Sequence, residues 1–252
     1  MQALIDNGRY KVTEVLYSDE GFDVCLCTDV MVNTGKTVVI STYKDKRYIH
    51  ELLPVFYEVK NNGMIDFEGL ITADGSVSAV FEYHKGISFS EYYPLKKGKK
   101  RVARNFGECM EIAEKLLLRT LELDLADDRI AFCVLDEHNI IIDINTKSVG
   151  FNIRILPNTV PEPSFKGRRL GGLLERMFPK NRYLPIEIER FITELHAGKY
   201  PTCTSIYSHW REISEQAQKT RAEYEKESIF QYLSRIIKRK KQEKAVRGQR
   251  SG

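Results

Sequence analysis

The stretch Ser76–Tyr93, SVSAVFEYHKGISFSEYY, constrains this chain more than any other. An alternating strand pattern runs into Glu82-Tyr83, a glycine-containing turn follows, and an amphipathic helix begins. Before it the sequence reads as strands and after it almost wholly as helices. A chain whose texture changes once, at one crossing segment, folds as a strand-rich part joined to a helix-rich part. Concave sites form preferentially at such junctions, and 252 residues are enough for two small lobes with real cores.

On the strand side, Tyr10–Tyr17 and Val24–Val32 are rich in β-branched and aromatic residues and are separated by the polar turn SDEGFD. Asn33-Thr34-Gly35 is a hairpin signal before Lys36–Tyr43. Phe67–Thr72 and Val77–Tyr83 are joined across Ala73-Asp74-Gly75-Ser76, a second one. Between these pairs, Ile49, Leu52, Leu53, Phe56 and Val59 keep a helical repeat, with Pro54 either kinking that helix or marking its first turn. The expectation is about five antiparallel strands and one helix.

On the helical side, Lys96–Arg101 reads as a solvated basic loop and Met110–Leu123 as a helix with a wide apolar stripe. Ile130–Leu135, Asn139–Ile144 and Ser148–Ile155 read as short strands, followed by a proline-containing loop over Pro157–Pro163. Arg169–Met177, Pro185–His196 and Ser205–Glu212 read as helices, the second opened by its proline. Beyond Trp210 a long, highly charged helix with a slip in its apolar seam is expected, ending in disorder over Val246–Gly252.

Charge and cysteine content exclude several classes. No apolar run approaches the length of a membrane span, and the start MQALIDNGRYKV lacks a basic region followed by an apolar one, so a cytoplasmic protein is expected. Five cysteines with no CxxC pair argue against a disulfide framework or a zinc ribbon, and Cys25 and Cys27 read as buried small hydrophobes on one strand face. The net charge of +4 is unevenly placed: from Arg235 to the end, eight bases face one acid, so this tail is +7 and the remainder −3. Arg235, Lys238, Arg239, Lys240, Lys241 and Lys244 could meet an acidic membrane surface, which would make the chain membrane-proximal, or nucleic acid. The plain alternative is a solvated helix end whose cations suit the helix dipole.

Over roughly residues 8–212 the chain resembles the protein kinase superfamily. FEYHKGISFSEYY is similar to that family's hinge and the helix start after it, GRYKVTEVLY to its first strand and TGKTVVIS to its third. ECMEIAEKLLLRTLEL resembles the long helix before the catalytic loop, NIIIDINTKSVGF the hairpin leading to the metal-binding motif, RLGGLLERMF the central helix of the large lobe, and KYPTCTSIYSHW the approach to the final helix. The resemblance implies an α+β, two-lobed fold, with a small N-lobe over 8–83, a mainly helical C-lobe over 84–212, and a charged helix and tail over 213–252.

The resemblance also says where the chemistry would sit. The G-x-G-x-x-G loop over the phosphates falls on Tyr17–Asp23, with one glycine and three carboxylates. The phosphate-contacting lysine falls on Ser41, with Lys44 or Lys46 as displaced substitutes, and its glutamate partner on Glu51. In H-R-D-x-K-x-x-N the proton acceptor becomes Val134 and the lysine Asp136, while Asn139 keeps the asparagine. The magnesium-binding aspartate falls on Asn152, or on Ile153 in a longer hairpin; Asp143 reads as part of that hairpin. Pro161-Glu162 resembles the end of an activation loop, and the aspartate bracing the catalytic loop becomes Lys166.

Losing one group that stabilises a transition state costs on the order of 10² to 10³ in rate, and here several change together. The resemblance therefore implies a pseudokinase, a regulatory or scaffolding module that binds a protein partner. Glu82, Tyr83 and His84 stand where the family's hinge would meet a nucleotide, but no ATP, magnesium or other metal is expected. The alternative is a residual nucleotide-binding enzyme using non-standard residues.

Overall fold

The computed structural model describes residues 4–31, 35–62, 66–73, 75–94, 104–155 and 161–249, with backbone only at 62, 239–240 and 242–249. Strands β1 (Leu4–Ile5), β2 (Tyr10–Ser18), β3 (Phe22–Asp29), β4 (Thr37–Tyr43), β5 (Phe67–Ala73) and β6 (Ser76–Glu82) form one antiparallel sheet in the order β1-β2-β3-β4-β6-β5. The five expected strands are present, and the short β1 is added on the outer edge of β2. Two turn glycines take the positive φ such turns need, +62° at Gly35 and +77° at Gly75. The other residues of the first hairpin signal, Asn33 and Thr34, the central Asp74 of the second, and the basic loop Lys96–Arg101 lie outside the described residues, as do 157–160 of the proline-containing loop.

The alternation of β3 and β4 gives the sheet two different faces. Phe22, Val24, Val39, Tyr43 and Phe81 join the main core, where Leu52, Val55, Phe56 and Val59 of α1 (Lys46–Asn62) meet them. Tyr10, Cys27, Val38, Ile40 and Val80 form a smaller core on the opposite face. Burial pushes the Cys27 thiol up to about 12, so it is an inert core group. Pro54 lies well inside α1, not in its first turn, and gives the His50 carbonyl no helical donor.

The crossing segment is tightly placed. After Glu82 the chain is irregular to Gly86, then β7 (Ile87–Ser88) pairs with β8 (Ile140–Ile142), which pairs with β9 (Val149–Phe151). Gly86 has φ +155° and passes so close to β8 that a Cβ there would lie 2.4 Å from the Ile142 carbonyl oxygen. Helix α2 (Phe89–Tyr92) then starts with a capping box, Ser88 and Glu91 each satisfying the other's backbone N–H.

The helical part consists of α3 (Phe106–Arg119) with a 3-10 turn over Thr120–Asp124, α4 (Asp128–Val134), α5 (Phe165–Met177), α6 (Ile186–His196), α7 (Cys203–Lys226) and α8 (Ile229–Gln249). Ile112 and Leu116 of α3, Leu170 of α5, Phe191 of α6 and Trp210 of α7 are fully buried together. Glu114 of α3 accepts hydrogen bonds from the Trp210 indole at 2.6 Å and the Tyr207 hydroxyl at 2.8 Å, which fixes the start of α7.

Three expectations change. Ile130–Val134 belongs to helix α4 and Leu135 is its C-cap, not a strand: Asp127 caps the start by accepting from the Arg129 N–H at 2.8 Å. The charged segment beyond Trp210 is two helices, because Ser228 and Gln231 cap a new start after Lys226. The helix continues through Val246 to Gln249, where disorder was expected; 250–252 lie outside the described residues. Among the described residues no helix is long and apolar enough to cross a membrane.

Candidate functional site

The junction between sheet and helices is where the resemblance puts the candidate catalytic and nucleotide-contacting groups, so its geometry bears most on what the chain can do. Ser41 lies on the α1 side of β4, paired in register with Val24 on one neighbour and Ala79 on the other, and all three are fully buried. Its strand neighbour Tyr43 is also fully buried, and its hydroxyl donates to the Ile155 carbonyl at 2.8 Å on the helical side. Burial pushes the Tyr43 phenol well above its ordinary range, so it stays a neutral donor.

The turn expected to cover a phosphate puts a side chain into the core instead. Phe22 is buried and stacks on Tyr43 with ring centroids 4.9 Å apart, and Tyr43 meets Phe56 of α1 at 5.5 Å. Asp19 turns its carboxylate back on its own loop, accepting from the Gly21 N–H at 2.9 Å and from the Tyr17 hydroxyl. These bonds hold its carboxyl below the usual carboxylate range.

Neither displaced lysine reaches Ser41's side. Lys44 follows the outer-face alternation, pairs with Asp23, and lines a trough of about 610 Å³ on the opposite face of the sheet with Thr42, Ser78 and Cys25. Lys46 is exposed at the start of α1. Glu51 is turned toward the helical part, its carboxylate 3.6 Å from Arg129, which also donates to the Glu51 carbonyl at 3.3 Å.

The helical-side positions are built into the scaffold. Val134 is fully buried at the end of α4. Asp136 points away from it, accepting from the His138 N–H at 2.9 Å with Arg169 at 3.7 Å. The buried Asn139 donates from Nδ2 to the Cys133 carbonyl at 2.8 Å, tying the end of α4 to β8. Its own carbonyl accepts from the Asn152 N–H at 2.8 Å, so the structure does bring these two positions together. Asp143 caps the hairpin, with the N–H groups of Thr146 and Asn145 holding its carboxyl below the usual range. Lys166 donates to the Leu123 carbonyl at 2.9 Å and pairs with Asp128 at 3.3 Å. Glu162 pairs with Arg168 at 3.3 Å.

The contact with most bearing on function joins the crossing segment to Asn152. The Asn152 Oδ1 accepts from the His84 backbone N–H at 2.7 Å, and its Nδ2 donates to the His84 carbonyl at 3.0 Å. One side-chain amide thus satisfies both peptide groups of a hinge residue 68 positions away. The His84 ring lies against Gly150, where a Cβ would approach it to 2.3 Å. Its Nε2 sits 3.1 Å from Asp66, whose buried carboxylate also takes Arg119 from α3 at 2.5 Å. The Asp66 carbonyl accepts from the Glu82 N–H at 2.8 Å, and Tyr83 donates its N–H to Thr37 at 3.3 Å. Glu82 itself faces Lys36 at 3.6 Å.

The resemblance put His84 in the hinge and Asn152 where a metal-binding aspartate is missing; the structure joins the two to each other. Sequence reasoning missed Asp66, Arg119, Tyr43 and Arg129, whose partners are 18 to 112 residues away. Replacing Asn152 with alanine is expected to lower stability by about 2–3 kcal/mol, because it removes two bonds and strands two peptide groups. The melting temperature falls by about 6 °C in a chain of this size; an unchanged transition would mean that the bracket does not form. Among the described residues no group of three or more His, Cys, Asp or Glu could hold a metal.

No family model matches the chain, and no curated protein matches it. Solved structures do. The PknI kinase domain of Mycobacterium tuberculosis aligns with a TM-score of 0.53 at 10% identity, over 81% of this chain and 95% of that one. A double mutant of the same domain gives 0.55 at 11%, over 85% and 99%. The kinase PK-1 of Cydia pomonella granulovirus gives 0.55 at 14%, over 80% and 93%. At these identities the likeness is one of fold.

Proposed function

From the premise that this chain has a protein-kinase-like fold, we propose that it is a pseudokinase, which transfers no phosphate and acts by binding a protein partner as a regulatory or scaffolding module. The observation that carries the reading is the Asn152 bracket on His84. It uses up, within the chain, the peptide donor and acceptor that a hinge would offer a nucleotide. Supporting it, the residues that the resemblance puts at the positions of the cation, the proton acceptor and the magnesium carboxylate, Ser41, Val134 and Asn152, are all buried by the protein's own atoms. Phosphoryl transfer depends on positioning and electrostatic stabilisation, and these residues offer neither. Neither ATP nor magnesium is a ligand in this reading.

A residual enzyme would need a cation beside Ser41, and the nearest strand lysine, Lys44, is on the other face of the sheet. Incubation with radiolabelled ATP and Mg²⁺ tests the proposal. No label is expected on the chain or on a generic protein acceptor above a blank without the chain, whereas label lost on Asn139→Ala would overturn it. The binding role predicts that a partner co-purifies in stoichiometric amount and that added ATP does not release it.

A further inference from the structure

Among the described side chains of helix α8, those that meet the body lie on one side of it. Arg235 donates to the Glu227 carboxylate at 2.9 Å and to the Arg182 carbonyl at 2.9 Å, and its guanidinium lies 3.5 Å from the centre of the Tyr224 ring. Tyr232 and Ile236, on the flanks of Arg235, are partly covered. The helix face turned away carries Ile229, Leu233 and Ile237, spaced i, i+4, i+8, with Phe230 beside them. These four are 62%, 50%, 56% and 84% exposed, so one row of large apolar side chains is bare over more than two helical turns. Scattered exposed hydrophobics need no explanation, but a contiguous row marks a surface that meets something.

Charge narrows what that is. Lys238 and Lys241 are exposed on the next turns of the same helix, and the sequence from Arg235 onward carries eight bases against one acid. A second copy of the chain would bring two such +7 segments together, which is repulsive unless they are kept apart. Nucleic acid accounts for the cations but gives Phe230 and Leu233 nothing to bury in. An anionic bilayer surface accounts for both, since an apolar face enters the headgroup boundary while neighbouring lysines meet lipid phosphates. The described helices include none suited to crossing a membrane, so α8 would lie on the surface.

We propose that α8 is a membrane-surface helix, docking the protein on anionic lipid through Ile229, Phe230, Leu233 and Ile237 with Lys238 and Lys241 as the adjoining cations. The inference is independent of what happens at the lobe junction. Co-sedimentation of the full chain with vesicles tests it, comparing phosphatidylcholine alone with phosphatidylcholine containing about one-quarter phosphatidylglycerol. Binding is expected only to the anionic vesicles. The pair Phe230→Glu and Leu233→Glu is expected to weaken it about a hundredfold, and Lys238→Gln with Lys241→Gln about tenfold or more.

All four positions are exposed, so the variants keep the wild-type melting transition, which is measured alongside. Equal binding to both vesicles, or binding untouched by the glutamates, would overturn the proposal. So would light scattering that shows a dimer dissolved by the same glutamates, or duplex DNA that binds the glutamate variant as well as wild type and displaces wild type from the vesicles.

Discussion

Replacing Ser41 with lysine, the residue an active kinase carries on this strand, is expected to lower stability by about 3–5 kcal/mol and to restore no phosphate transfer. Ser41 is fully buried between Val24 and Ala79, on a face shared with Phe22, Val39 and Tyr43. An ammonium there loses its hydration, and the helix carboxylate that would have met it, Glu51, is turned to Arg129. Desolvation would push the new lysine's pKa down until it neutralised or the strand moved. The melting temperature should fall by about 10 °C. A Ser41→Lys chain that melts like wild type and gains ATP-dependent stabilisation would show that the junction is an open cleft lacking only its cation.

The second large effect is expected at Phe22. Its side chain is buried in the turn that the resemblance puts over a phosphate, stacked on Tyr43 and in contact with Tyr17. Truncation to alanine removes the ring and leaves a hole walled by Tyr43 and the α1 core, at a cost of about 3–5 kcal/mol. Tyr17, half exposed on the neighbouring strand, is the control, and Tyr17→Ala should cost less than about 1 kcal/mol. Chemical denaturation of both variants, with the same m-value, measures the difference. If the two cost the same, Phe22 is not part of the packed junction and the turn is free to cover a ligand.

The fold was more legible than the site. The strands announce themselves by period-two alternation and by Gly35 and Gly75, whose positive φ marks the turns locally. The helix at Asp128–Val134 was misread because six apolar residues in a row fit a buried strand equally well. Asp127, the cap that decides the matter, stood just before them. The break between α7 and α8 was likewise written in Ser228 and Gln231, a serine with a glutamine three residues on.

At the site the resemblance could suggest which side chain stands at each position but not what that side chain bonds to. The bracket between Asn152 and His84 and the chain of Arg119, Asp66 and His84 join residues brought together only by the tertiary fold. An asparagine in an apolar stretch carries no local mark of a partner 68 residues earlier. Nor does the spacing of Tyr43 in its strand reveal that its hydroxyl reaches Ile155. Alternation could have warned against Lys44 as a substitute, since it is an odd number of residues from Ser41, and the structure does place it on the opposite face with Thr42 and Ser78.

At the centre of the proposed function are the two bonds by which Asn152 takes up the His84 peptide groups, with Ser41 and Val134 buried beside it. A titration of the purified chain with ATP, with and without Mg²⁺, followed by the melting temperature, tests that reading most directly, because a ligand specific for the folded state raises that temperature as it saturates. No saturable shift is expected up to millimolar nucleotide, in wild type or in Ser41→Lys. A saturating rise that Mg²⁺ enhances and Asn152→Ala alters would contradict the reading.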